Sequence, residues 1–288
     1  MKQYNFLKYH KQQLDLFISQ ALYEDIGDAD HSTLATIAPE AQGSAQLLVK
    51  DAGVLAGLDL AKMIFHYLDK NVTVKPYVKD GDWVTPGTVA SVVDGSVHAL
   101  LSAERVALNC MQRMSGIATL TREFQEKISH TPCRVLDTRK TTPNFRIPEK
   151  WAVHIGGGLN HRFGLYDAVM IKDNHIDFNG SIETAVKNCL GYLCKKQLTI
   201  PVIVETRNRD EVRQCVAIGG IDRILLDNMT PHQIIDVLPL IPNSIQTEAS
   251  GNINLDNVVQ YAETGVDFVS VGAIIHSASP LDVSLVTS

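Results

Sequence analysis

Apolar residues change their period along the chain, and each change marks a different kind of element. Leu14, Phe17, Ile18 and Leu22 recur at three- and four-residue steps and predict an amphipathic helix. Residues 46–49, 72–78 and 88–93 read as short strands, so the first hundred residues are expected to be α+β. From Ser102, placed as an N-cap, a long helix is predicted with Val106, Cys110, Met114, Ile117, Phe124 and Ile128 on one stripe. Glu104 and Arg105 stand on its charged edge. Beyond it, apolar runs close again and again in polar clusters: RVLDTRK, DAVMIKDNH, PVIVETRN, RILLDN, SIQTEASGN and DFVSVGA. These are the signatures of buried parallel strands. Helical stretches at 181–194, 210–218, 231–238 and 255–264 alternate with them, which predicts an α/β fold. Six such units in roughly 170 residues fall short of the ~250 of a full eight-stranded barrel, so an incomplete or small β/α barrel is expected. An open doubly wound sheet is the alternative.

In a barrel the chemistry lies at the carboxyl ends of the strands, where this chain concentrates its polar residues. Residues 134–175 hold seven Lys or Arg against four Asp or Glu, a local charge of +3, while the rest of the chain carries −9. Arg139, Lys140 and Lys172 directly follow apolar strands and are expected at the mouth, where cations need an anionic ligand. A plain surface patch is the competing explanation. Arginine suits planar carboxylates because its donor fork can make two parallel hydrogen bonds. Gly156–Gly158 precede His161 and Arg162, and together they favour a loop that approaches an anion. Glu205 and Asp227 end the runs VIVE and ILLD, so both carboxylates should share the mouth, as ion-pair partners or as acceptors for a polyhydroxylated ligand with Mg²⁺. Glu248, Ala249, Ser250, Gly251 and Asn252 are read as following one late strand, and Gly272 and Ala273 as following the last. Both loops suit a phosphate held by backbone N–H groups. The turn KDGDWVTPG resembles those of biotinyl and lipoyl carriers, but no lysine sits at a hairpin tip there and it is read as a turn only.

Composition narrows the function classes. The chain has 288 residues, 45% of them hydrophobic, and a net charge of −6. That balance argues against a nucleic-acid binder. Five cysteines without a CxxC pair suggest neither a disulfide framework nor a zinc site. The opening MKQYNFLKYHKQQ breaks its apolar residues with charges, and no stretch reaches transmembrane length, so no membrane partner and a cytoplasmic location are expected.

Several long motifs then carry a resemblance. DTRKTTP, GGGLNHRFGLYDAVMIKDNH, RILLDN, EASGNI and ERVALNCMQRMSGIAT, with EDIG near Glu24 and GVLAGL at 53–58, resemble the quinolinate phosphoribosyltransferases over nearly the whole chain. The resemblance implies an N-terminal α/β sandwich over residues 1–112, a β/α barrel over 113–276 and a tail at 277–288 returning to the first domain. It implies transfer of phosphoribosyl from phosphoribosyl pyrophosphate to quinolinate with decarboxylation, Mg²⁺ as cofactor, and at least a homodimer. In the family pattern Arg105 enters the neighbouring copy's site and joins Arg139, His161, Arg162 and Lys172 around quinolinate, and Thr138 is a further substrate-binding position. Lys140 lies near pyrophosphate and ribose, Glu205 and Asp227 near the ribose hydroxyls and Mg²⁺, and Ser250, Gly251 and Gly272 at the 5-phosphate. Lys140 or Lys172 could assist decarboxylation. The sequence departs from the pattern at DADHST, Asn144, His154 and Thr206–Arg207. Two rival functions are a Schiff-base aldolase using Lys140 or Lys172, and a non-catalytic sensor of pyridine carboxylates or phosphosugars.

Overall fold

The structure, a computed structural model, describes residues 5–287. The first four residues of the opening segment and Ser288 lie outside the described residues. Packing divides the chain into two units. One takes in the chain up to Arg122, with Thr141–Gly157 and the segment from Ile274 on; the other takes in Glu123–Lys140 and Gly158–Ala273.

In the first unit the short helix Phe6–Tyr9 is followed by the helix Lys11–Ile26, which buries Leu14, Ile18 and Leu22 as their spacing requires. Strands β1 (Gln42–Val49), β2 (Gly53–Val54), β3 (Thr73–Pro76), β4 (Trp83–Val84) and β5 (Val89–Ser96) follow. The KDGDWVTPG segment forms turns around the short β4. The long helix spans Val97–Lys127 and starts five residues earlier than the sequence suggested. Ser102 is therefore not its N-cap: the apolar run VHALL carries the helix straight on from β5, and the Ser102 hydroxyl donates to Asp30 Oδ2 at 3.0 Å. Asp30 itself caps the helix His31–Thr36, which gives the unusual DADHST segment a structural role.

The second unit is one parallel sheet of β6 (Arg134–Leu136), β7 (Val169–Ile171), β8 (Val202–Thr206), β9 (Arg223–Asp227), β10 (Gln246–Ser250) and β11 (Phe268–Ser270). All six strand motifs fall in it. The order β6-β11-β10-β9-β8-β7 is a sequential ring cut between β6 and β7, an incomplete barrel. The segment before β7 stands in that gap: Leu159 bridges Leu136, its N–H donates to Val135 O at 2.8 Å, and its carbonyl accepts the Asp137 N–H at 3.1 Å. Strand parity decides what faces the lumen. Ala168, Ile203 and Leu225 pack there with Met170, which puts Lys172, Glu205, Arg223, Asp227, Glu248 and Ser250 on the same face. The opposite face buries Val204, Ile224, Leu226, Ala249 and Val269. The chain ends in β12 (Val283–Thr287), which pairs antiparallel with β1 in the first unit.

Candidate functional site

Burial of an aliphatic strand is favourable on both faces, so a charge near a strand's end must be held by partners. After β7, Lys172 caps the helix Asp173–Asn179, its backbone N–H donating to His175 Nδ1 at 3.0 Å. Its Nζ stands 3.1 Å from Glu205 Oε2. Burial raises the pKa of Glu205, and the charges of Asp227 and Asp173 add to this against the lowering by Lys172. At the end of β9, Asp227 Oδ1 accepts the Ser250 hydroxyl at 2.6 Å and Oδ2 the Asn228 amide at 2.7 Å. Lys172, Glu205, Asp227 and Ser250 thus meet at one rim, as strand parity predicted. Gly251 follows at φ +97°, where a Cβ would lie 2.2 Å from Asn228 Oδ1. Gly272 lies in the turn between β11 and the helix Ala273–His276.

The basic side begins after β6. Thr138 Oγ1 accepts the Lys140 N–H at 3.0 Å, which holds a tight turn with the Lys140 side chain exposed. Arg139 Nε is buried with no hydrogen-bond acceptor among the described residues. Arg162 donates through Nη1 to Ala168 O at 3.0 Å. Burial, and then the like charge of Arg139, lower the Arg162 pKa. Two guanidiniums that repel each other, one with a dry orphan donor, call for an anion. Asp167 closes the intervening loop by accepting the N–H groups of Phe163 and Gly164 at 2.7 and 2.8 Å. His161 is buried, its backbone N–H donating to Asp137 Oδ1 at 2.7 Å.

Three sequence readings change. The triple glycine does not form the anion loop: Gly156 caps the helix Arg146–Ile155, where a Cβ would lie 2.5 Å from Ala118 O, and Gly157 turns the chain at φ +96°. Glu248, Ala249 and Ser250 do not follow a strand but lie inside β10, with Glu248 fully buried on the lumen face. Asp137 and Arg223 were passed over, although Asp137 ends an apolar run just as Glu205 and Asp227 do. The departures from the family pattern have local explanations. Asn144 adopts φ 62°, a left-handed position that Asn tolerates where Gly is common. His154 packs its ring 5.7 Å from Phe6, and burial lowers its pKa. Thr206 donates to Leu225 O at 3.1 Å, and Arg207 pairs with Glu211 and Asp177 at 2.8 and 3.4 Å.

Fold and rim together define a class, the parallel incomplete barrels with Lys172, Glu205, Asp227 and Ser250 meeting at the strand ends. The family described as Quinolinate phosphoribosyl transferase matches residues 30–115 with its N-terminal domain and 117–286 with its C-terminal domain. The chain belongs to that family. It is 44% identical to the chloroplastic nicotinate-nucleotide pyrophosphorylase [carboxylating] of Oryza sativa subsp. japonica, over 94% of this chain and 77% of that one. It is 41% identical to the probable nicotinate-nucleotide pyrophosphorylase [carboxylating] of Bacillus subtilis, over 95% and 93%. Among solved structures, NadC from Streptococcus pyogenes matches with a TM-score of 0.89 at 40% identity, covering 96% of this chain and 98% of that one. The nicotinate-nucleotide pyrophosphorylase from Francisella tularensis matches with 0.90 at 34% identity, covering 99% of each. Nothing favours the aldolase: Lys172 is ion-paired, whereas an imine-forming lysine needs an apolar pocket.

Proposed function

We propose that the polar rim of the incomplete barrel is where this family member, a decarboxylating quinolinate phosphoribosyltransferase of NAD biosynthesis, performs its reaction. Arg139, Arg162 and Lys172, with Thr138 and His161 close by in sequence, make up the quinolinate pocket. Arg105 of a second copy completes it in a homodimer. Lys140 attends the pyrophosphate and ribose, Glu205 and Asp227 the ribose hydroxyls, and Ser250, Gly251 and Gly272 the 5-phosphate. The observation that carries the reading is the buried, acceptorless Arg139 Nε beside the Arg162 charge.

The pyridine nitrogen of quinolinate attacks C1 of the ribose as the C1–O bond to pyrophosphate breaks. Positive charge accumulating at C1 is stabilised electrostatically by Glu205 and Asp227. The arginines supply orientation, which is worth several kcal/mol when reacting atoms are held in near-attack geometry. The bond from C2 to its carboxylate then breaks with loss of CO₂; its electron pair stays on C2, stabilised by the adjacent quaternary nitrogen, and C2 takes up a proton from solvent to give nicotinate mononucleotide. No protein nucleophile is needed.

Among the described residues, no group of three or more His, Cys, Asp or Glu is placed to hold a metal unaided. Glu205 and Asp227 nevertheless fit Mg²⁺, which takes one or two carboxylates and completes its shell with water and substrate phosphates. When bound, it would neutralise the departing pyrophosphate. No described helix is long and apolar enough to cross a membrane, and all five cysteines are free; the latter supports a cytoplasmic location.

The test is release of CO₂ and pyrophosphate from quinolinate and phosphoribosyl pyrophosphate with Mg²⁺. Arg139→Ala and Arg162→Ala should each raise the quinolinate KM by roughly 10- to 100-fold, the loss of one charge-assisted contact to a desolvated carboxylate. The KM for phosphoribosyl pyrophosphate should change far less. Unchanged quinolinate kinetics would reject the clamp.

A further inference from the structure

His161 is a member of the expected pocket whose ring has a protein group close to each nitrogen. Its Nδ1 accepts the backbone N–H of Arg162 at 2.7 Å, and an accepting Nδ1 carries no proton. Its Nε2 stands 3.4 Å from Glu248 Oε2. A doubly protonated ring would break the first contact, so this geometry selects the neutral Nε2–H form.

Glu248 is built to support that form. It is fully buried inside β10, and the same Oε2 accepts Arg223 Nη1 at 2.9 Å. Arg223 is fixed in turn from two sides. Its Nε and Nη2 donate to Gln246 Oε1 at 3.3 and 3.0 Å, and its guanidinium lies 4.3 Å above the centre of the Phe268 ring. Arg223 and His161 thus share the Glu248 carboxylate. Asp137 holds the other side of the same segment. It is fully buried and accepts the His161 N–H and the Asn160 amide, each at 2.7 Å. The backbone on both sides of the His161 ring is therefore anchored to a buried carboxylate or to the ring itself.

We infer that Arg223, Glu248 and His161 form a relay that positions Arg162, with His161 acting through its Nδ1 on the Arg162 backbone and not as a donor to the substrate carboxylate. Glu248, Arg223 and His161 are positioning residues in this assignment; Arg162 is the group that touches quinolinate. The inference rests on the proposed quinolinate clamp. It changes the role of His161 and adds Glu248 and Arg223, of which Arg223 lines the same cavity as His161 and Arg162.

The decisive measurement needs no variant. Ring ¹⁵N NMR of histidine-labelled protein at neutral pH, with His161 assigned by its loss in His161→Asn, should show a neutral Nε2–H ring. A cationic ring, or one protonated at Nδ1, overturns the relay whether or not quinolinate is the substrate. Kinetics supply the second arm. Glu248→Gln keeps the shape but removes the charge, and should raise the quinolinate KM roughly tenfold while kcat and the KM for phosphoribosyl pyrophosphate move little. His161→Asn places an amide oxygen near the Nδ1 position and should retain more quinolinate affinity than His161→Ala. Equal losses in Asn and Ala, with both proteins folded by circular dichroism, would reject action through Arg162. Failure of the clamp reads differently: Arg139→Ala and Arg162→Ala would leave the quinolinate kinetics unchanged.

Discussion

Asp80 illustrates how a single carboxyl can serve the fold at a cost. Its Oδ1 accepts the Leu58 N–H at 2.9 Å at the start of the helix Leu58–Leu68, while Oδ2 is buried with no hydrogen-bond partner among the described residues. Burial pushes its pKa up to about 6, and the neighbouring Asp59 charge adds to the shift against the lowering by backbone N–H groups. A carboxyl whose folded pKa is raised contributes stability that is complete below its ordinary value near 4 and is lost as pH rises through about 6. The loss is at most about 3 kcal/mol. Asp80→Asn keeps the capping oxygen and removes the charge. It should therefore be more stable than wild type at pH 8 and no more stable at pH 4, as read by urea unfolding at both values. An equal difference at the two pH values would show that the buried charge is not the cause.

At the level of elements, the loops after the strands carry constraints that no local pattern announces. Gly251, just after β10, adopts φ +97°, and Asn228, just after β9, adopts φ 52°. A side chain at 251 would strike the amide that holds Asp227 Oδ2. Gly251→Ala should lower kcat/KM for phosphoribosyl pyrophosphate at least roughly tenfold through a strain of ~1–3 kcal/mol, with quinolinate KM less affected. Unaltered kinetics would mean that this loop does not govern the sugar phosphate. What the sequence made legible here follows the same logic. Apolar runs fixed by burial on both faces revealed all six barrel strands, and parity then placed Lys172, Glu205 and Asp227 on one rim. The start of the long helix was not legible, because Ser102 has the chemistry of a cap but spends its hydroxyl on Asp30, 72 residues away. Glu248 was misplaced for a related reason. A glutamate in the middle of QTEAS resembles a loop residue unless its buried partner Arg223 is known, and that partner lies on another strand.

Across the whole molecule, neither packing unit is a contiguous stretch of chain: Thr141–Gly157 and the tail pack with the first unit. Arg105 in that unit is exposed on the long helix. Leu101, one helical turn before it, is also 39% exposed. In the proposed homodimer Arg105 is donated to a second copy. Sharing of Arg105 has a stoichiometric consequence that a residue acting within its own chain cannot imitate. Arg105→Ala and Lys172→Ala homodimers should both be nearly inactive. In a heterodimer of the two, one site has an intact barrel and receives a wild-type Arg105, while the other lacks both groups. Random remixing should therefore restore roughly a quarter of wild-type activity. If Arg105 served its own chain, every site in the mixture would lack one group, and verified heterodimers would remain as inactive as their parents.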